Sequence, residues 1–259
     1  MPTLSSTLNI CDPPPVARPG FACPQHCYAL AGRLTPWFSW AAAVLCGFGL
    51  YVGFFVAPTD AHQGEHYRIA FLHTPSMWVS VLIYVLMAAA SGYGVVRRHR
   101  LASMLASALA PTGALFAFLA LWTGSLWGKP IWGVWWVWEA RLASELLVLF
   151  LFLGFIALQE AIDDPRRADR ASGVLALVGV FGLPLLYFSV YRWSAMYGTV
   201  SLSLTPPANM TPPVFTGMLA MGIGLLAYTA AAALARLRIV ILMRERSSEW
   251  VATYAKVRP

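Results

Sequence analysis

Long apolar runs without charged residues alternate with short polar connections along most of this chain. The runs are continuously apolar, which is typical of membrane-spanning helices, whereas the strands of a membrane barrel alternate between apolar and polar positions. A helix of about 20 residues crosses the hydrocarbon layer of a bilayer. The pattern predicts an all-α, polytopic membrane protein with six transmembrane helices, at residues 37–57, 69–96, 102–126, 142–158, 171–190 and 212–235.

The composition supports this class. Of 259 residues, 59% are hydrophobic and only 11% are charged, whereas a soluble domain has about a quarter of its residues charged. The net charge of +7 would suggest nucleic acid in a soluble protein. However, 14 of the 18 Lys and Arg residues lie before the first run, after the sixth run and in the connections after the second and fourth runs. The positive-inside rule therefore predicts that both termini are cytoplasmic, and we expect no nucleic-acid partner.

Three regions follow from the same pattern. Residues 1–34 are rich in proline and have no apolar core, which predicts a disordered cytoplasmic tail. Residues 35–240 are predicted to form the transmembrane domain, and residues 241–259 a basic cytoplasmic tail. The outward connections would then be about 58–68, 127–141 and 191–211, and they are rich in aromatic residues.

Tryptophan is concentrated in the middle outward connection, residues 127–141. Five of the eleven tryptophans of the chain lie between Trp127 and Trp138. Tryptophan favours the membrane interface, so an aromatic belt is one explanation. A second explanation is a binding surface for a large, flat, partly apolar ligand, because Gly128, Pro130 and Gly133 are expected to interrupt the helix within this dense cluster. The residues alone leave both explanations open.

His73 is the histidine that points most directly to chemistry. It lies in an apolar run, where ionisable groups are costly and usually have a partner. A neutral imidazole is a common metal ligand and the usual proximal ligand of haem iron. A histidine that is simply hydrogen-bonded to a neighbouring helix is the alternative.

Further along the chain, Arg141 and Glu145 are four residues apart at the start of the fourth run, which favours an ion pair on one helix face.

The segment from Trp132 to Leu146, WGVWWVWEARLASEL, resembles the tryptophan-rich "WWD" signature of haem-handling membrane proteins. It is most similar to the haem exporter protein C family, CcmC. The FLHTP segment around His73 and the YFSV segment at 187–190 also match that family. The resemblance extends over nearly all the chain after the N-terminal tail.

This resemblance implies a role in cytochrome c maturation at the bacterial inner membrane. In that family, b-type haem rests transiently on the tryptophan-rich loop at the outer face, and histidines from the two flanking loops ligate its iron. The haem then passes to a periplasmic chaperone, CcmE, with help from the small membrane subunit CcmD and the ABC-type CcmA–CcmB pair. The implied haem-binding residues are His73, as the iron ligand, and the surface formed by Trp132, Trp135, Trp136, Trp138 and Glu139.

The sequence departs from the family pattern at two positions. The aspartate of the signature is replaced by Glu139, whose side chain is longer by one methylene. The family's second histidine is expected in the third outward connection, but residues 191–199 contain none. Tyr197 stands about where that histidine is expected, with Met196 beside it, and both residue types can ligate haem iron. We therefore include Tyr197 as a candidate second ligand.

Two other functions are consistent with a six-helix membrane protein. A transporter of another small molecule predicts polar or broken helices near the middle of the membrane. A membrane-embedded enzyme that acts on a lipid-linked substrate needs convergent acid and base residues. The sequence shows neither a nucleophile–base pair nor a phosphate loop, so we expect that the protein is not an enzyme.

Overall fold

The computed structural model describes residues 23–60, 63–138, 140–183 and 211–252, with the side chains of Ala140 and Arg141 outside that description. The described residues confirm the all-α class, since they form no β-strand beyond one isolated bridge between Asp60 and Gly64. A π-helical turn, Val52–Val56, follows the first helix, and a 3-10 turn, Glu65–Ile69, precedes the second. The α-helices are α1 (Pro24–Tyr51), α2 (Ala70–Arg97), α3 (Arg100–Trp132), α4 (Ala140–Ala161), α5 (Pro165–Val180) and α6 (Pro212–Arg244).

Five helical segments of the described chain are long and apolar enough to cross a membrane. They correspond to the first, second, third, fourth and sixth predicted spans, and confirm a polytopic membrane protein. The predicted fifth span, 171–190, begins within α5 and continues outside the described residues. Six spans and cytoplasmic termini therefore remain predictions. The five segments are Pro24–Val56, Glu65–Arg97, Arg100–Trp132, Leu142–Ala161 and Pro212–Arg244.

Both tail boundaries differ from the prediction. α1 begins at Pro24, so residues 24–34 are helical and the predicted disordered tail 1–34 is too long. Proline is favoured at the start of a helix because its missing N–H has no helical partner there. Tyr28 is buried in one cluster with Leu237 and Ile241 of α6, so the first turns of α1 pack on the bundle. The basic tail was predicted from residue 241, but α6 continues to Arg244.

The predicted loop 127–141 is wrong in its first part. α3 continues through Gly128 and Pro130 and ends only at Gly133, whose φ of 75° lies in the left-handed region. The N–H of Gly133 donates to the carbonyl oxygen of Lys129 at 3.0 Å, which closes the last turn. Pro130 removes only one hydrogen bond and its φ suits a helix, so it does not end the helix.

Close helix contacts hold the bundle together. The antiparallel pair α1 and α6 approaches so tightly at Gly49 that a Cβ atom there would lie 3.0 Å from the carbonyl oxygen of Gly217. The main core lies between α2, α3 and α4, where the ring of Phe152 packs directly on Gly113.

The helices alternate in direction, which gives the bundle two distinct ends. The His73 end carries the start of α2, the end of α3 and the start of α4, and Arg68 there donates to the carbonyl oxygen of Gly53 after α1. The Arg244 end carries the start of α3 and the end of α6, which the ion pair of Arg100 with Glu245 joins at 3.2 Å.

Candidate functional site

His73 lies in the first turn of α2 with its imidazole turned into the bundle. Only 7% of the residue is exposed. Its Nδ1 atom is 2.9 Å from the backbone carbonyl oxygen of Ala120 on α3. Because a carbonyl oxygen can only accept, Nδ1 carries the proton of the neutral imidazole. The lone pair that could bind a metal is therefore on Nε2, and the contact to α3 fixes the plane of the ring.

Thr123 adds to this orientation. Its Oγ1 atom lies 3.2 Å from Nδ1 of His73 and donates its own proton to the carbonyl oxygen of Leu119 at 2.6 Å. The hydroxyl thus faces the imidazole as an acceptor, in agreement with a proton on Nδ1. Sequence reasoning missed this residue, because threonine is common in helices and 50 residues separate it from His73.

Gly124 allows α3 to approach the imidazole. A Cβ atom at this position would lie 3.1 Å from Cε1 of His73 and 3.4 Å from a methyl group of Leu142 on α4. A larger side chain would have to displace the ring or the leucine. The imidazole is therefore held between α3 and the beginning of α4.

Trp127 is the indole that contacts His73. The ring centroids are 5.7 Å apart and the planes meet at 73°, an edge-to-face arrangement. The indole N–H donates to Oε1 of Gln63 at 3.0 Å, so the connection before α2 fixes the indole as well. Trp127 belongs to the predicted cluster but was not among the predicted site residues. Its role depends on the unexpected continuation of α3.

The four predicted indoles lie at the same end of the bundle. The ring of Trp132 packs against Gly128, where a Cβ atom would be 2.9 Å from it. Trp136 and Trp138 form an edge-to-face pair with centroids 5.4 Å apart. Trp138 is 79% exposed, and Trp132 and Trp135 are exposed as well. Exposed indoles at the end of an apolar bundle suit the membrane interface and equally suit contact with a flat apolar ligand.

Lys129 fixes the beginning of the segment after α3. Its Nζ atom donates to the carbonyl oxygen of Gly133 at 2.8 Å and lies 5.7 Å from the ring centroid of Trp135. The ammonium thus satisfies a carbonyl at the helix end and attracts an aromatic face. The indole N–H of Trp136 is buried and has no hydrogen-bond partner in the described part of the chain.

The predicted site is thus described only in part. The structure brings His73 together with Trp127 and places Trp132, Trp135, Trp136 and Trp138 at the same end of the bundle. Glu139 and Tyr197 lie outside the described residues, and their roles as ligands remain predictions.

Glu145 has a partner that was not predicted. Its Oε1 atom lies within hydrogen-bond distance of the hydroxyl oxygen of Ser80 on α2, at 2.7 Å, and only 4% of the residue is exposed. The sequence favoured an ion pair with Arg141, whose side chain lies outside the described part. The bond to Ser80 was not predictable from spacing, because the two residues are 65 positions apart.

Fold and site together define a class: a polytopic helical membrane protein that carries an oriented, buried imidazole and a group of indoles at one end. A family model for CcmC, described as "Heme exporter protein C", matches residues 18–252. The chain is 42% identical to the Heme exporter protein C of Escherichia coli (strain K12) over 232 residues, which covers 89% of this chain and 93% of the relative. The chain belongs to the Heme exporter protein C family.

Two further relatives extend the range of this similarity. The Heme exporter protein C of Haemophilus influenzae is 36% identical over 236 residues, 91% of this chain and 96% of the relative. A protein of Marchantia polymorpha, "Putative cytochrome c biosynthesis ccmC-like mitochondrial protein", is 38% identical over 190 residues, 73% of this chain and 78% of the relative. The resemblance inferred from the tryptophan-rich segment is therefore confirmed.

Proposed function

We propose that this protein binds haem at the His73 end of its bundle and presents it to a periplasmic haem chaperone for cytochrome c maturation. The names of its relatives refer to haem export and to cytochrome c biosynthesis. The observation that carries the proposal is the bond of His73 Nδ1 to Ala120, because it places the proton of the neutral imidazole on Nδ1 and the metal-binding lone pair on Nε2. Haem is the cargo of this protein, bound transiently and as b-type haem.

The residues at this end fit such a cargo. Imidazole is the usual proximal ligand of haem iron, and a fixed tautomer removes the need to move a proton before the ligand binds. The indoles of Trp132, Trp135, Trp136 and Trp138 would support the flat macrocycle, with Trp127 against the edge of the imidazole. We propose Tyr197 as the second iron ligand and Glu139 as a further contact of the haem.

Topology and partners belong to the same proposal. The His73 end would face outward from the bacterial inner membrane, since the positively charged connections lie at the opposite end. CcmE would receive the haem, and CcmD and the CcmA–CcmB pair would assist. The protein would bind, orient and release its cargo and would not act as an enzyme.

Replacement of His73 by Gly tests the ligand. The wild-type protein, purified in detergent from haem-replete cells, should show a Soret band. We expect His73→Gly to lose most of this absorbance, and added imidazole to restore it by filling the space of the deleted ring. The control is His66→Ala, because His66 is exposed at the same end of the bundle and should leave the spectrum unchanged. A colourless wild type, or a His73→Gly spectrum equal to that of the wild type, would contradict the proposal.

Transfer of the cargo tests presentation. Haem-loaded protein in detergent is mixed with the soluble domain of CcmE, and the two are separated by affinity tag. We expect haem to move to the chaperone from the wild type. Retention of all haem on the membrane protein would contradict presentation while leaving haem binding intact.

A further inference from the structure

Glu145 lies in the apolar interior of the bundle and is not one of the proposed haem contacts. Ionisable side chains in membrane spans are costly and usually functional, so their partners matter. The described partner of Glu145 is the hydroxyl of Ser80, which is fully buried on α2. The second carboxyl oxygen, Oε2, is also buried and has no hydrogen-bond partner in the described part of the chain.

Ser80 has one hydroxyl proton but makes two short contacts with oxygen atoms. The Oγ atom of Ser80 lies 2.7 Å from Oε1 of Glu145 and 2.8 Å from the carbonyl oxygen of Met77. A hydroxyl has one proton, and a carbonyl oxygen can only accept. If Ser80 donates to Met77, the proton in the other contact must belong to Glu145. Both short contacts are satisfied together only when Glu145 is a neutral carboxylic acid.

The apolar stretches of α3, α5 and α6 offer no charge to compensate an ionised Glu145. Residues 101–128 of α3, 171–180 of α5 and 213–235 of α6 contain no charged residue. Tyr228 is the only titratable side chain in these three stretches. A carboxylate with one neutral donor in such surroundings would be strongly disfavoured.

The remaining titratable groups lie on α2 and on α4 itself. His73 is two turns before Ser80 on the same face of α2, about 10 Å along the helix axis. Tyr84 is one turn after Ser80, and its hydroxyl donates to the carbonyl oxygen of Ala176 on α5 at 3.1 Å. On α4, Arg141 precedes Glu145 by one turn, and an i, i+4 spacing would allow the two side chains to pair.

We propose that Glu145 and Ser80 form an intramembrane proton-binding site, in which the carboxyl of Glu145 carries a proton at neutral pH. With the proton bound, Glu145 donates to Ser80 and Ser80 donates to Met77. When the proton leaves, the hydroxyl of Ser80 turns and donates to the carboxylate. The site rests on these contacts alone and is independent of haem binding.

Infrared difference spectroscopy of the purified full-length protein tests this site. We expect a carboxylic-acid carbonyl band at neutral pH that is missing from Glu145→Gln and that disappears reversibly at alkaline pH. Ser80→Ala should retain the band with a shifted frequency, because the acid stays neutral but loses its hydrogen bond. Ser76→Ala is the matched control, since Ser76 is fully buried on the same face of α2 and donates to Leu72 instead.

An ion pair between Arg141 and Glu145 predicts the opposite result. The wild type would then lack the band at neutral pH, and Arg141→Gln would create it. Either observation overturns the proton-binding site. If Glu145→Gln does not fold, isotopic labelling of glutamate carboxyl groups in the wild type replaces it. The carboxylic-acid band must then shift in frequency with the label, and a band that does not shift overturns the proposal.

Discussion

The two ends of the bundle use polar residues in opposite ways. At the Arg244 end, the guanidinium of Arg244 binds both carboxylate oxygens of Asp169, at 2.7 and 2.8 Å, and also reaches Oε1 of Gln159 at 3.0 Å. Gln159 in turn donates to Ser172 at 2.7 Å. These largely buried groups join α4, α5 and α6, and they satisfy one another. At the His73 end, neutral contacts orient one imidazole, and most of the indoles are exposed.

This difference indicates a division of labour. A bidentate pair of charges with further hydrogen bonds holds helices in one arrangement. The His73 end instead fixes the orientation of a neutral imidazole and leaves indole surface exposed. We therefore expect substitutions at the Arg244 end to change stability, and substitutions at the His73 end to change haem binding.

The largest effect is expected for Arg244→Ala. The substitution leaves the carboxylate of Asp169 largely buried without its bidentate partner, which should destabilise the protein by about 3 kcal/mol. Unfolding in detergent, followed by circular dichroism, measures the loss. The control is Arg167→Ala, because its pair with Asp164 at 3.5 Å is exposed and should contribute less than about 1 kcal/mol. Equal stability of the two variants would contradict the proposed division.

A smaller effect, at the other end, is expected for Gly124→Val. The added side chain would displace the imidazole of His73, at a cost of about 1–3 kcal/mol. This corresponds to a loss of roughly 5- to 150-fold in haem affinity, measured by titration of the Soret band. Gly222→Val is the matched control on α6, because nothing lies within 4 Å of a Cβ atom at Gly222. If both variants bind haem equally well, the approach of α3 does not position His73.

The smallest effect is expected for Gln63→Leu. This substitution removes the acceptor for the indole N–H of Trp127, a hydrogen bond that contributes about 0.5–1.5 kcal/mol. The indole would then be less well oriented, and haem binding should weaken several-fold. Trp127→Phe removes the donor of the same bond and keeps a ring against His73. The double variant should therefore be no worse than the more affected single variant. Additive losses would show that the two residues act separately.

Local patterns predicted much of this fold because the bilayer constrains each helix separately. Apolar length alone located five segments that the structure shows as long helices. The position of His73 in an apolar run predicted a partnered imidazole, and the segment from Trp132 to Leu146 predicted the family. These predictions needed no knowledge of which helices are neighbours.

Helix ends and side-chain partners were harder to predict. The sequence predicts a helix interruption at Gly128, Pro130 and Gly133. Of these three residues, only Gly133 adopts a left-handed conformation. Gly128 instead lies within α3 and makes room for the ring of Trp132. Whether a glycine ends a helix or accommodates a ring depends on what packs against it, and spacing does not contain that information.

The sequence by itself determined the class of protein, the approximate membrane segments and the family. It did so because hydrophobic length and a dense tryptophan motif are properties of contiguous residues. Only the tertiary structure decided which nitrogen of His73 carries the proton, which indole touches it and which hydroxyl meets Glu145. Each of these depends on a contact between residues about 50 or more positions apart, formed only when α2, α3 and α4 pack together.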